Sequence, residues 1–358
     1  MTEQTTLKIT TVTPVTIGAG IDLSPYSDYI INNGQVCFID KMKLQKIIAT
    51  NNRWLDLYVQ GVAMQMDNNR SEFDIKSFLL NNSIVKEIDE VILSRCPLIT
   101  GTPQSKLPIK GVIKSPLLEP YFPGSTIKGA FKTILMYHWL KTNRDGDRMI
   151  EEVIGGGNFN SLEKKFECFI NDQNELVRPN TIQQVSDSKM FPKNSTIVVD
   201  CYRKMPIRFE CIAKGKSTEF ELILENYKWE SLSEQANDYA IANLDREFSL
   251  IEEEDKMDDY YNHLANIEEA IGDANSNTAY LRIGFGKGYY LNSLGVAVYD
   301  YVSQEGKEAL YYKFESYLKN EYAKKGKSDK FLLKEFPRTR LMVKKTQEPL
   351  GWIKIEKV

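Results

Sequence analysis

The chain has 358 residues, 42% of them hydrophobic and 27% charged, with a formal net charge of −3. That is enough for one large domain or two ordinary ones, each with its own core, while no apolar run approaches the ~18 residues a membrane span needs and the opening MTEQTTLKITTV lacks the basic and apolar segments of a secretory signal. Five cysteines (Cys37, Cys96, Cys168, Cys201, Cys211) without a CxxC pair, and only two histidines (His138, His263), argue against a zinc site or another metal cofactor and fit a reduced, cytoplasmic compartment.

Residues 6–18 (TLKITTVTPVTIG) are β-branched and alternate, which predicts a strand ending at a turn, Gly18-Ala-Gly20. Residues 28–40 read as a hairpin about Asn32-Asn33-Gly34, because Asn-Gly supplies the positive φ of tight hairpin turns. Residues 41–95 have helical periodicity and read as a helical insertion between sheet elements. The stretch 104–118 is extended, and a helix runs from about 125 to 142. Strands are expected at 180–189, 195–202, 206–213 and 218–225, then helices at 230–251 and 257–271. Residues 279–292 (AYLRIGFGKGYYLN) read as strand, glycine turn, strand. Residues 305–323 look helical, KKGKSDK (324–330) reads as a mobile loop, and TRLMVKK and GWIKIEK form a closing hairpin about Thr346–Pro349. The interleaving favours an α+β fold with two sheet-plus-helix domains, 1–205 and 206–358.

Charge is unevenly spread. Residues 101–144 hold seven Lys or Arg against one acid, Glu119, and residues 313–358 hold thirteen against six. The remainder is acidic, with one block at Glu252, Glu253, Glu254, Asp255, Asp258 and Asp259. A basic face and an acidic face are expected, although solvated lysine-rich surfaces would give the same counts.

Four motifs could carry chemistry. In Tyr121-Phe-Pro-Gly-Ser-Thr-Ile-Lys-Gly-Ala-Phe-Lys132, Ser125 or Thr126 can cap a helix whose buried stripe is Ile127, Ala130, Phe131, Ile134 and Leu135. Gly124, the free N–H groups, the helix dipole, Lys128 and Lys132 would then make an anion site; a capped structural helix with solvated lysines is the alternative. In Arg282-Ile-Gly-Phe-Gly-Lys-Gly288, glycines 284, 286 and 288 leave amides open to phosphate, Arg282 and Lys287 add charge, and Phe285 can stack on a base. A plain tight hairpin competes with that. In Phe336-Pro-Arg-Thr-Arg340, Arg338 and Arg340 can grip phosphate or pair with internal acids. In Val185-Ser-Asp-Ser188, Asp187 between two hydroxyls reads first as structural, a polar turn or a backbone tether. Catalytic groups are scarce: the histidines are 125 positions apart, and Asp22 and Asp28 are the only carboxylates worth testing for RNA cleavage, with turn capping at Ser24-Pro25 the simpler role.

Taken in order, TPVTIGAG (13–20), SPYSDYII (24–31), PGSTIKGAFKT (123–133), VSDS (185–188), GFGKG (284–288) and FPRTR with PLGWIKI (336–355) resemble the RAMP superfamily of CRISPR effector proteins. Within it, the closing motif resembles the type III-A Csm subunit that caps the crRNA 3′ end. The resemblance implies two ferredoxin-like (RRM-related) domains, a crRNA held by its backbone so that bases stay free for target RNA, and docking to the repeated backbone RAMP subunit and other Csm subunits. It also implies support of crRNA maturation through recruited host nucleases rather than by cutting. Carried onto this chain, RNA contacts fall on Gly18, Gly20, Gly124, Ser125, Thr126, Lys128, Lys132, Gly284, Phe285, Gly286, Lys287 and Gly288, with Arg282, Arg338 and Arg340 as further candidates. The crRNA 5′-end RAMP subunit and a RAMP endoribonuclease are the alternatives. No strand shows the sheet-face aromatics of base-reading RRM domains, so phosphate-led, sequence-independent binding is expected.

Overall fold

The computed structural model describes residues 2–68, 73–100, 107–156, 182–202, 206–251, 257–286, 294–323, 331–337 and 340–358. Outside them lie Lys287, Gly288 and the strand expected there, Arg338, Cys168, most of the acidic block and the KKGKSDK segment.

In chain order the chain runs β1 (Thr2–Thr11), β2 (Gly18–Leu23), β3 (Tyr29–Asn32), β4 (Gln35–Ile39), α1 (Lys41–Ile48), α2 (Asn52–Asn68), α3 (Ile75–Asn81), β5 (Ile92–Ile99), β6 (Ile109–Val112), α4 (Gly124–Thr142) and α5 (Arg144–Gly156). It continues with β7 (Ile182–Val185), β8 (Thr196–Tyr202), β9 (Ile207–Ile212), β10 (Ser217–Glu225), α6 (Trp229–Ile251), α7 (Asp258–Gly272), β11 (Thr278–Arg282), α8 (Gly295–Val302), α9 (Glu308–Ala323), β12 (Met342–Val343) and β13 (Trp352–Lys357). The expected Asn-Gly turn joins β3 to β4, with φ of 49° at Asn33 and 72° at Gly34. Three helices do fill the run after β4, but it ends sooner than its periodicity suggests, because β5 begins at Ile92.

Five strands form an antiparallel sheet in the order β11-β13-β1-β10-β7. Its alternation is plain in β1 and β10, where Leu7, Ile9, Phe220, Leu222 and Leu224 are buried. They pack on Ile127, Phe131 and Ile134 of α4 and on Trp229, Leu232 and Ala236 of α6. The expected α4 stripe is present. Met136, Tyr137 and Leu140 are buried as well, since α5, α6 and α8 lie against the rest of the helix. Neither α5 nor α8 was foreseen: Met149, Ile150, Val153 and Ile154 give α5 a buried stripe, while α8 is apolar nearly all round.

The second sheet has eight strands, β2-β6-β9-β8-β5-β4-β3 with β12 on β8. The β8–β9 hairpin lies between β5 and β6 and is parallel to each. This hairpin straddles position 205, where the two halves of the chain were expected to meet, and β1 pairs with β10 and β13. Sheet pairing therefore crosses that position. The expected closing hairpin is reduced to a short turn, held by the Met342–Pro349 bridge and by the Val343 N–H donating to the Glu348 carbonyl at 2.9 Å, while β12 joins β8 and β13 inserts between β1 and β11.

The edge strands β2 and β3 are joined only by residues 24–28. Such a link spans at most about 20 Å, whereas a flat row of seven strands would hold its edges roughly 29 Å apart. The sheet must curl towards a barrel, and contacts cross its inside. The Tyr29 hydroxyl of β3 donates to the Leu107 carbonyl just before β6, and Arg208 Nη1 of β9 donates to Tyr29 at 3.4 Å. Tyr29, Val36, Phe38, Cys96, Leu98, Ile109 and Val198 fill this interior. The opposite face, with Cys37 and Ile39, packs under α1 and α3.

Candidate nucleic-acid interface

The turn expected at Gly18-Ala-Gly20 is the start of β2, a bulged strand. Gly18 pairs with Val112 and Asp22 with Lys110, with a register shift between them. Gly20 takes a φ of 75°, open to glycine at no steric cost. The first five residues of β2 are exposed, Ile21 by 57%.

The turn at 284–286 rests on the segment just before this bulge. Phe285 donates its N–H to the Thr16 carbonyl at 2.9 Å. A Cβ on Gly284 would stand 2.2 Å from that same carbonyl oxygen, and φ is 73°. Only glycine allows this approach. Phe285 is 43% exposed and leans on Phe209, their ring centroids 4.9 Å apart. The 284–286 turn, far away in sequence, thus sits on Thr16 and Ile17, immediately before the glycine-bearing bulge.

At the α4 start the structure corrects the expected anion site. The N-cap is Pro123, not Ser125 or Thr126. The Gly124 N–H is taken by Asp187 Oδ1 at 2.7 Å, so a carboxylate of the protein already sits at the positive end of the helix. Ser188 Oγ accepts from the Phe122 N–H, and Ser186 Oγ from the Glu221 N–H, each at 2.9 Å. The VSDS segment has the structural role expected of it, as a tether. A Cβ on Gly124 would lie 2.3 Å from the Val185 carbonyl oxygen, so this glycine is kept for contact with protein. Ser125 and Lys128 are exposed, Thr126 and Lys132 half-buried. Lys128 Nζ donates to the Gln183 carbonyl at 3.0 Å.

Two candidate arginines are not at the surface. Arg282 points inward from β11. Its Nε donates to the Leu350 carbonyl (2.8 Å), its Nη2 to the Gly286 carbonyl (3.2 Å), and its Nη1 pairs with Glu247 (3.1 Å). Arg340 is 9% exposed and donates from Nη2 to the Leu250 carbonyl at 2.9 Å. A strand's alternation does not tell which face is covered, so the sequence leaves open whether such a cation reaches phosphate or an internal partner.

The carboxylates considered for cleavage have other partners. Asp22 pairs with Lys110 at 3.0 Å. Asp28 is buried, accepts from the Ser24 N–H (2.7 Å) and Ser27 Oγ (2.8 Å), and pairs with Lys41 (2.7 Å). Burial pushes its carboxyl up, yet the Lys41 ammonium and these hydrogen bonds outweigh that and hold it below the ordinary carboxylate value. Cys37, Cys96, Cys201 and Cys211 are buried free thiols; burial pushes Cys96 up to about 12 and raises Cys201 and Cys211 too. Among the described residues no group of three or more His, Cys, Asp or Glu is placed to hold a metal, and no helix is long and apolar enough to cross a membrane.

Two buried clamps have no local signature in the chain. Inside the barrel Arg208 pairs with Asp200 (Nε to Oδ1, 2.6 Å), which also accepts from Thr100. Arg246 of α6 lies 3.9 Å over the Tyr299 ring and donates to the carbonyls of Leu333, Lys334 and Phe336. A lone charge on an alternating strand or a long helix reads as solvated.

The model of the RAMP superfamily matches residues 8–290. The chain is 25% identical to "CRISPR system Cms protein Csm5" of Methanocaldococcus jannaschii, over 98% of this chain and 88% of that protein. A chain of a cryo-EM structure of a Csm-crRNA-target RNA ternary complex from a type III-A CRISPR-Cas system superimposes with a TM-score of 0.67 at 20% identity, covering 99% of this chain and all of that one. The crystal structure of Csm5 from T. onnurineus gives 0.61 at 16% identity, over 97% and 99% of the two chains. The chain belongs to the RAMP superfamily and is, over nearly its whole length, similar to Csm5 of type III-A Csm systems.

Proposed function

We propose that this chain is an RNA-binding, non-catalytic subunit of a type III-A CRISPR effector complex, holding the crRNA backbone near its 3′ end. It docks beside the repeated backbone RAMP subunit, meets target RNA only through the paired crRNA, and supports crRNA maturation by host nucleases. Its core comprises two RAMP domains of ferredoxin-like descent. The observation carrying this proposal is the seating of the 284–286 turn on Thr16 and Ile17, directly ahead in sequence of the exposed Gly18–Ile21 bulge, with the Phe285 ring 43% exposed. Backbone amides recognise phosphate whatever the base. An aromatic face adds sequence-tolerant stacking. Similarity to a chain solved within a Csm-crRNA-target RNA complex supports the same assignment.

Because Asp187 fills the α4 N-terminus, that helix contributes through Ser125, Lys128 and Lys132 rather than as an open anion hole. The test is crRNA loading in a reconstituted complex. Joint Lys128→Glu, Lys132→Glu and Lys287→Glu substitution is expected to abolish loading and to flatten the dependence of affinity on salt. Crosslinks from Phe285 are expected on the crRNA 3′ half. Unchanged loading, or crosslinks confined to the 5′ end, would overturn the assignment. The purified chain is expected to leave RNA uncut with and without added metal.

A further inference from the structure

We infer that Arg282 is a positioning residue for the glycine turn: it binds no RNA itself but sets the backbone that does. This rests on the proposed RNA contact at residues 284–286. Its guanidinium is fully committed inside the protein, with a side chain only 1% exposed. One arm reaches the Gly286 carbonyl at the far side of the turn and another the Leu350 carbonyl at the entry to β13. The third meets both oxygens of Glu247 on α6, at 3.1 and 3.2 Å. Glu247 in turn accepts from the hydroxyl of Tyr260 on α7 at 3.0 Å. The turn is thus pinned at two points, by Thr16 accepting from the Phe285 N–H and by Arg282 donating to the Gly286 carbonyl.

Geometry separates this role from a phosphate contact. A planar guanidinium serves three directions at once, and an ammonium on a flexible stem cannot reproduce that fork. Arg282→Lys would preserve most binding if the residue only supplied positive charge. As a positioning residue it fails almost as badly as Arg282→Gln. Glu247→Gln gives predictions of opposite sign. Deleting a negative charge strengthens binding of a polyanion on electrostatics alone, whereas loosening the clamp weakens it.

The experiment titrates the full chain with fluorescent single-stranded RNA across a salt series. Amide hydrogen exchange over 283–286 is followed without RNA, and thermal unfolding is recorded for each variant. Expected results are about a tenfold loss of affinity for Arg282→Lys and a smaller loss for Glu247→Gln, with the salt slope kept near wild type. Exchange at Phe285 should rise in both. Should Arg282→Gln fail to fold, Glu247→Gln and the exchange data still decide. Retained affinity in Arg282→Lys, or tighter binding in Glu247→Gln, overturns the inference. Phe285→Ala and Lys287→Glu are the controls. If they weaken binding while the Arg282 and Glu247 variants do not, only the positioning role falls. If wild type binds no RNA, or the controls leave binding unchanged, the RNA assignment itself falls and takes the inference with it.

Discussion

Asp200→Asn should be among the most damaging single changes in the barrel. The substitution keeps size and one acceptor oxygen but removes the charge opposite Arg208. That guanidinium has a side-chain exposure of 0% and does not give up its proton. It would be left without its carboxylate partner in an enclosed interior lined by Ile109, Val198 and Leu98, where the nearby Glu210 is already engaged by Lys114. Removing one partner of a buried pair costs about 3–5 kcal/mol. The Tyr29 hydroxyl 3.4 Å from Nη1 still accepts, which places the expectation near the lower end. At roughly 2–4 °C per kcal/mol for a large domain, a cost of about 3 kcal/mol lowers melting by about 6–12 °C. Urea unfolding followed by circular dichroism would show the midpoint drop with the m value preserved. Joint Asp200→Leu and Arg208→Met substitution should recover most of the loss, because apolar replacement of a whole buried pair is nearly neutral. An Asp200→Asn protein within about 1 kcal/mol of wild type would refute the account of the barrel interior.

Three further outcomes follow from the same geometry. Gly20→Ala should cost only about 1 kcal/mol for its positive φ, since nothing lies within 4 Å of the added carbon, whereas Gly284→Ala should cost about 2–4 kcal/mol because the carbon meets the Thr16 carbonyl; paired urea titrations test the difference. Asp28→Asn should cost about 1–3 kcal/mol at pH 7 through lost charge-assisted hydrogen bonds. The folded-state value of Asp28 is depressed, so its contribution is full above the ordinary value of 3.8 and disappears as pH falls through the folded value; the wild-type advantage should shrink below that pH and persist above it. Native protein treated with iodoacetamide at pH 8 should leave Cys37, Cys96, Cys201 and Cys211 unlabelled on the minute scale by peptide mass spectrometry, and all four should react in denaturant.

Local chemistry was legible wherever neighbours in sequence decide the outcome. The Asn33-Gly34 turn, the buried stripe of α4, and the alternation of β1 and β10 were all readable, as was the RAMP resemblance carried by short motifs. Long-range decisions were not. In β9, Arg208 and Glu210 alternate with Phe209 and Cys211, which reads as a solvated face and an apolar face. Both faces are buried, because the sheet curls and the polar one lines the barrel. Arg282 was likewise expected at the surface and is buried, and for Arg340 the pattern could not choose between phosphate and an internal partner. Ser125 and Thr126 looked like caps, but Asp187, 63 residues from Gly124, takes the role. The seating of the 284–286 turn on Thr16 and Ile17 depends on strand order, which no local pattern encodes.

The position of β13 has a consequence for how the polypeptide matures. It fills the slot between β1, near the start of the chain, and β11. Until residues 352–357 have left the ribosome, β1 and β11 each present a bare backbone edge, with Ile9, Ala279 and Leu281 lacking neighbours on that side. Nascent chains halted before that point should therefore be held by chaperones or degraded.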